Sequence, residues 1–184
     1  GEGAFLNGKR IRSSRCMSLA QALVAVSFSA NVPRDSVEVR RFVEVLHAGQ
    51  SARRSGSAAL NLCYVGCARL DAYFASSVYV WDVAAGVLVA REAGATVTSI
   101  IGRTFDLRRP DLAIAATADL HAELLQALAN GVAADLVEAG ATLLPANPGF
   151  YHRPTDVGQV VDFIVARVLD QLAVPHRLMA RWGA

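Results

Sequence analysis

The stretch Val78-Tyr79-Val80-Trp81-Asp82-Val83-Ala84-Ala85-Gly86-Val87-Leu88-Val89-Ala90-Arg91-Glu92-Ala93-Gly94-Ala95-Thr96-Val97-Thr98-Ser99-Ile100-Ile101 decides the fold. Residues 78–80 are β-branched or aromatic and predict a short strand. Asp82 opens a helix over residues 83–93, and Gly94 closes it as a C-cap. Residues 96–101 are β-rich again. A strand feeding a helix feeding a strand is the unit of an α/β layered fold.

The same alternation continues on both sides. Residues 57–74 predict a helix that buries Ala59, Leu62, Cys63, Gly66 and Leu70. Before it, Asp35 offers an N-cap with Glu38 three residues on, the pattern of a capping box. Val39, Phe42, Val43 and Leu46 follow at helical spacing, and Gly49 ends that helix. Residues 19–28 predict a buried strand. Asn7-Gly8, between short apolar-containing runs, predicts a type I′ hairpin. Downstream, residues 112–116 predict a strand and Asp119 caps a helix through Leu128. From Asn130 the character changes: a short helix over 134–139, a strand over 141–144, the stiff loop Pro145-Ala146-Asn147-Pro148-Gly149, and an amphipathic helix over 156–172. That helix places Val160, Val161, Ile164, Val168 and Leu172 on one face. The flexible dipeptide Asn130-Gly131 predicts a boundary between units 1–129 and 130–184.

With 184 residues, 53% hydrophobic and 18% charged, the chain is long enough for a core and too apolar for disorder. Seventeen of its 18 basic residues are Arg and 33 residues are Ala, a bias of G+C-rich coding that names no partner. The net charge of +2 is too small for a general nucleic-acid or membrane field. The longest uncharged stretch, residues 16–33, carries Ser18, Gln21, Ser27, Ser29 and Asn31 and is too polar to span a bilayer. No charged n-region and apolar h-region open the chain, which predicts no signal peptide. Three Cys make no disulfide framework and predict a reducing, cytoplasmic setting. The chain opens without Met, which suggests a fragment.

Several residues are placed where chemistry is done. A carboxylate at Asp82 faces the free N–H groups and positive end of a helix, as an N-cap or as a metal ligand beside bound phosphate. Arg53-Arg54-Ser55-Gly56-Ser57 is a basic loop with Gly before a helix start, read either as a cap or as backbone approaching a ligand. Cys63 and Cys67, four apart and with no His nearby, read as small core residues. His47, His121, His152 and His176 form no spaced cluster. No zinc-protease, phosphate-loop or nucleophile-elbow motif occurs.

Gly3-Ala4-Phe5-Leu6-Asn7-Gly8, Arg54-Ser55-Gly56-Ser57-Ala58-Ala59-Leu60, Trp81-Asp82-Val83-Ala84-Ala85-Gly86 and Glu92-Ala93-Gly94, in this order and spacing, make residues 1–129 resemble the C-terminal half of the inositol monophosphatase family. The resemblance implies a Mg²⁺-dependent phosphomonoesterase of layered α/β architecture, acting on a small phosphorylated metabolite such as an inositol phosphate. It assigns Asp82 to the metal, and Gly56, Ser57 and Ala58 to the substrate alcohol. The family's upstream metal carboxylates have no counterpart in this sequence, and its substrate-contacting Glu falls on Ala75. The resemblance therefore implies a site with one metal carboxylate and negligible hydrolysis.

Glu138-Ala139-Gly140-Ala141, the run from Leu144 through Pro154, Val161-Asp162-Phe163 and Arg181-Trp182-Gly183 make residues 131–184 resemble the C-terminus of the flavin prenyltransferase (UbiX-type) family. That second resemblance implies FMN and a prenyl phosphate held by Tyr151 and Arg167. The flavin-binding sheet of those enzymes is absent, so Arg167 is expected on the polar flank of its helix near Asp170 or Asp162. Taken together the chain reads as a fusion or fragment of two families, with association of like chains through uncovered sheet edges, or as a non-catalytic interaction subunit.

Overall fold

The structure, a computed structural model, describes residues 1–138 and 155–178, with side chains of 134–138 outside that description. Its chain divides into two compact units, residues 1–135 and 136–184.

In the first unit, β1 (Phe5–Leu6) and β2 (Lys9–Arg10) pair antiparallel around Asn7-Gly8. Both turn residues have positive φ, 51° and 76°, as a type I′ turn demands. Then come β3 (Leu23–Ser27), α1 (Val37–Ala48), β4 (Ser51–Arg53), α2 (Ala58–Gly66), β5 (Ala72–Ala75), α3 (Val80–Glu92), β6 (Thr96–Thr98), β7 (Leu112–Ala115) and α4 (Ala118–Glu138). The five-stranded sheet has the order β4-β3-β5-β7-β6. β4, β3 and β5 run parallel, while β7 is antiparallel to both β5 and β6.

Alternation along the strands sorts the core into two layers. Val24, Val26, Phe74, Ala113 and Ala115 point to one face, where Val45 of α1 and Leu120, Leu124 and Leu128 of α4 cover them. Ala25, Tyr73, Ala75, Leu112 and Ile114 point to the other, under Leu62 and Val65 of α2 and Val83, Val87 and Ala90 of α3. A sheet buried on both faces needs nearly continuous apolar strands, which is what Leu23-Val24-Ala25-Val26 and Ala72-Tyr73-Phe74-Ala75 supply. The layered α/β expectation holds.

Two glycines set the approach of α2 to α3. A Cβ on Gly86 would lie 2.7 Å from the Cβ of Leu62, and one on Gly66 would lie 3.5 Å from the Cα of Ala90. Packing this close has no room for a methyl at Gly86.

Several local expectations are corrected. The predicted helix over 57–74 stops at Gly66, and Tyr73 and Phe74 lie in β5. Ala68 takes φ 61°, and the carbonyl oxygen of Tyr64 accepts from the N–H groups of Arg69 and Leu70, which closes the helix without a glycine. The predicted strand over 19–28 begins with a 3₁₀ turn, Leu19–Gln21, and β3 starts only at Leu23. Residues 78–80 are not a strand, because Val80 already belongs to α3. Ser36, not Asp35, caps α1, accepting from the N–H of Val39 at 3.3 Å. Thr117, not Asp119, caps α4, accepting from the N–H of Leu120 at 3.2 Å. The helix of α4 continues through Asn130-Gly131, so the separate helix over 134–139 is not formed. A Cβ on Gly131 would lie 2.8 Å from the backbone nitrogen of Arg41, so this glycine serves packing on α1 rather than a bend.

In the second unit, α5 (Val157–Gln171) begins at Asp156, whose carboxylate accepts from the N–H of Gln159 at 2.9 Å. Ala166 is its buried position, while Val161, Val168 and Leu172 of the predicted apolar face are exposed. The predicted strand 141–144 and the proline loop lie outside the described residues.

Candidate functional site

The parallel strands β3, β4 and β5 deliver their C-terminal ends to one edge of the sheet, where ligands of open α/β sheets are bound. A cavity of about 290 Å³ lies there, lined by Ser27 and Phe28 after β3, Arg54 and residues 56–59 after β4, and Val78 and Asp82 after β5. All four residues singled out for the phosphatase site, Gly56, Ser57, Ala58 and Asp82, therefore face one space.

Each is placed by local chemistry. Gly56 takes φ 84°, a conformation that favours glycine, and turns the chain into α2. Ser57 caps α2, its hydroxyl accepting from the N–H of Leu60 at 3.3 Å. Ala58 is the first residue of α2, so its N–H is among those with no partner inside the helix. Asp82 sits in the first turn of α3 and is not its cap; one carboxylate oxygen accepts from the N–H of Tyr79 at 3.1 Å. Arg54 folds over the other wall. Its guanidinium donates to the carbonyl oxygens of Phe28 and Ser29 at 3.2 and 3.3 Å and lies 4.6 Å from the Phe28 ring centre. Tyr79 and Trp81, at the start of α3, stack at 4.7 Å and are 63% and 73% exposed.

Behind the cavity, Asn61 and Tyr73 are fully buried. The Asn61 carbonyl oxygen accepts from the Ser55 hydroxyl at 2.6 Å, but its amide nitrogen and the Tyr73 hydroxyl have no partner of good geometry among the described residues. Burial pushes the Tyr73 phenol up to about 12, against the pull of Ser27 and Asn61 beside it. Residue spacing gave no sign of this pair, because Tyr73 fell inside the predicted helix.

The donor set does not fit a bound Mg²⁺ cluster. Mg²⁺ is held by one or two carboxylates plus substrate phosphate in near-ideal octahedral geometry, and a multi-metal site needs more. Among the described residues, Asp82 is the one carboxylate lining the cavity, and no group of three or more His, Cys, Asp and Glu could hold a metal. Cys63 and Cys67 are half-buried thiols, and burial pushes Cys63 up, with Cys67 adding to the shift. His121 is buried against Thr98 and the carbonyl oxygen of Ala113, and burial pulls its imidazole down, so it serves the core.

Of the second predicted pair, Tyr151 lies outside the described residues. Arg167 is exposed on α5 with its guanidinium 5.9 Å from the Phe163 ring centre, and Asp170 pairs with His176 at 3.1 Å. No helix among the described residues is long and apolar enough to cross a membrane.

The family model described as "Inositol monophosphatase family" matches residues 1–133. Inositol monophosphatase 2 of Solanum lycopersicum is 46% identical over 110 residues, covering 58% of this chain and 42% of that protein. Nus factor SuhB of Xylella fastidiosa is 42% identical over 103 residues, covering 55% of this chain and 38% of that protein. The inositol monophosphatase structure from Anabaena superposes with a TM-score of 0.65 at 32% identity, over 71% of this chain and 52% of that one. The chain thus spans about half the length of the relatives it matches.

Proposed function

Because the chain belongs to the inositol monophosphatase family, we propose that its cavity binds a small phosphorylated polyol, such as an inositol phosphate, and that it does not hydrolyse it unaided. The observation that carries this reading is the convergence of Asp82, Gly56, Ser57 and Ala58 on one cavity at the C-terminal ends of parallel strands. The Ser57 hydroxyl and the open N–H groups of the first turn of α2 offer donors for ring hydroxyls or phosphate oxygens. Gly56 lets backbone come close, and Arg54 supplies positive charge on the opposite wall. Mg²⁺, general to the family, supplies water activation and charge neutralisation when bound. The carboxylates to hold it beside Asp82 are not among the described residues, so no hydrolytic step is assigned to this chain's own groups.

A cytoplasmic setting suits such a substrate, and three free cysteines are in keeping with a reducing one. Among the described residues β4 and β6 are the edge strands of the sheet, and these edges are the surfaces proposed for self-association. The prenyl-phosphate reading of Tyr151 and Arg167, with FMN and a fusion origin, rests on its sequence resemblance alone. Calorimetric titration with inositol 1-phosphate tests the main reading. Binding that is lost in Ser57→Ala and Gly56→Val is the result expected; no heat, or heat unchanged in both variants, would overturn it.

A further inference from the structure

Glu38 lies in the first turn of α1, yet its carboxylate takes no part in capping that helix. One oxygen accepts from the hydroxyls of Ser76 and Ser77, each at 2.8 Å, and the other accepts from the hydroxyl of Ser29 at 3.2 Å. Ser29 follows Phe28, and Ser77 precedes Val78; Phe28, Val78 and Asp82 all line the cavity. We propose that Glu38 is a positioning residue of this site, a carboxylate clamp that holds the loop leaving β3 and the turn leaving β5 at a fixed separation and so sets the width of the cavity.

Several features bear on this. The clamp joins two loops through the Glu38 side chain, whereas the N–H of Ser76 already bonds the carbonyl oxygen of Ser27 and closes the sheet without it. Ser77 takes φ 58°, a strained conformation for a residue with a side chain, and its hydroxyl on Glu38 is the contact that holds it there. A carboxylate is an acceptor with about four lone-pair sites, and three serine donors nearly fill it. Partial burial pushes the Glu38 carboxyl up, but the hydroxyls of Ser76, Ser77 and Ser29 outweigh it and hold the group below the usual carboxylate range. The Arg54 guanidinium, seated on the carbonyl oxygens of Phe28 and Ser29, braces the same wall from the β4 side.

The clamp's relevance to ligand rests on the phosphopolyol reading, so its test has one arm that needs no ligand. Amide hydrogen exchange is followed in the full chain, in Glu38→Ala, in Glu38→Gln and in the double variant Ser76→Ala, Ser77→Ala. Losing hydrogen bonds to a charged acceptor is expected to speed exchange over residues 76–82 at least about tenfold in Glu38→Ala and in the double variant, with β7 amides unmoved. Glu38→Gln, which keeps an acceptor oxygen, is expected to recover most of the protection. Unchanged exchange at 76–82, or a rise spread evenly over the sheet, would overturn the clamp. In the ligand arm, run well below the variant's melting temperature, Glu38→Ala is expected to weaken inositol 1-phosphate binding, and equal affinity would overturn its role in the site. If the parent chain binds no inositol 1-phosphate, the phosphopolyol reading fails while the exchange arm still decides the clamp.

Discussion

The two ends of the same parallel strands treat their acids differently. At the starting end, Asp71 accepts from the N–H of Leu23 at 2.8 Å and the Ser14 hydroxyl at 2.6 Å, and its own N–H and carbonyl bond Leu23 and Ala116. Nearby, Glu123 accepts from the N–H of Leu19 at 2.6 Å and holds the turn that enters β3. At the finishing end, Glu38 holds the loops after β3 and β5 through Ser29, Ser76 and Ser77, and Asp82 accepts from the N–H of Tyr79. Acids bonded to sheet backbone hold the fold together. Acids bonded to loops shape a site, and one that accepts a single backbone N–H, as Asp82 does, keeps lone pairs for a ligand.

Substitutions should separate the two ends. Asp71→Ala strands the N–H of Leu23 and removes two bonds to a charged acceptor, for a loss of about 3 kcal/mol in urea unfolding; an effect below ~1 kcal/mol would erase the distinction. Gly86→Ala tests the layer shared by both ends. Its methyl meets the Cβ of Leu62, not the tip of a flexible chain, so overpacking of about 2 kcal/mol is expected in the same assay. Ser57→Ala, at the finishing end, is expected to cost only about 1 kcal/mol as a lost helix cap while removing ligand binding. A comparable loss of binding from Asp71→Ala at folded temperatures would blur the two roles.

The smallest expected effect is one of pH. Burial depresses the His121 imidazole in the folded chain below its ordinary value of 6.5. The unfolded state therefore binds the proton more tightly, and the stability that neutral His121 contributes is full above the unfolded value. It drains as pH falls through 6.5 towards the lower folded value. His121→Gln should flatten that part of the profile of melting temperature against pH. Glu38 follows the same sign lower down: its stabilisation is present above 4.5 and lost as pH falls through its depressed value.

What the sequence made legible, and what it hid, follows from how local each signal is. Asn7-Gly8 needs nothing beyond two residues able to take positive φ, and the hairpin formed as read. Gly56 and Ser57 announced a helix start through the same kind of local chemistry. The end of α2 was hidden because Ala68 takes a position that glycine normally marks, and an apolar run then carries the helical pattern into β5. Ser36 outcompeted Asp35 by one residue, and Glu38 turned from its own helix end to serines 38 and 39 residues away, a contact that no spacing rule reaches. Asn130-Gly131 looks like a break, but Gly131 is demanded by the backbone of Arg41 across the helix pair. Asp82 was placed correctly at the start of α3, while its cap role passed to Tyr79, whose N–H it accepts.

The central claim is that the cavity is a ligand site whose one lining carboxylate among the described residues falls short of the metal cluster that hydrolysis requires. Phosphate release from inositol 1-phosphate in saturating Mg²⁺, measured for this chain beside a full-length family member, tests it most directly. The account predicts turnover below about one-hundredth of that member's, since a missing metal clamp costs several kcal/mol of transition-state stabilisation. Turnover within that hundredfold, abolished by Asp82→Asn, would contradict it.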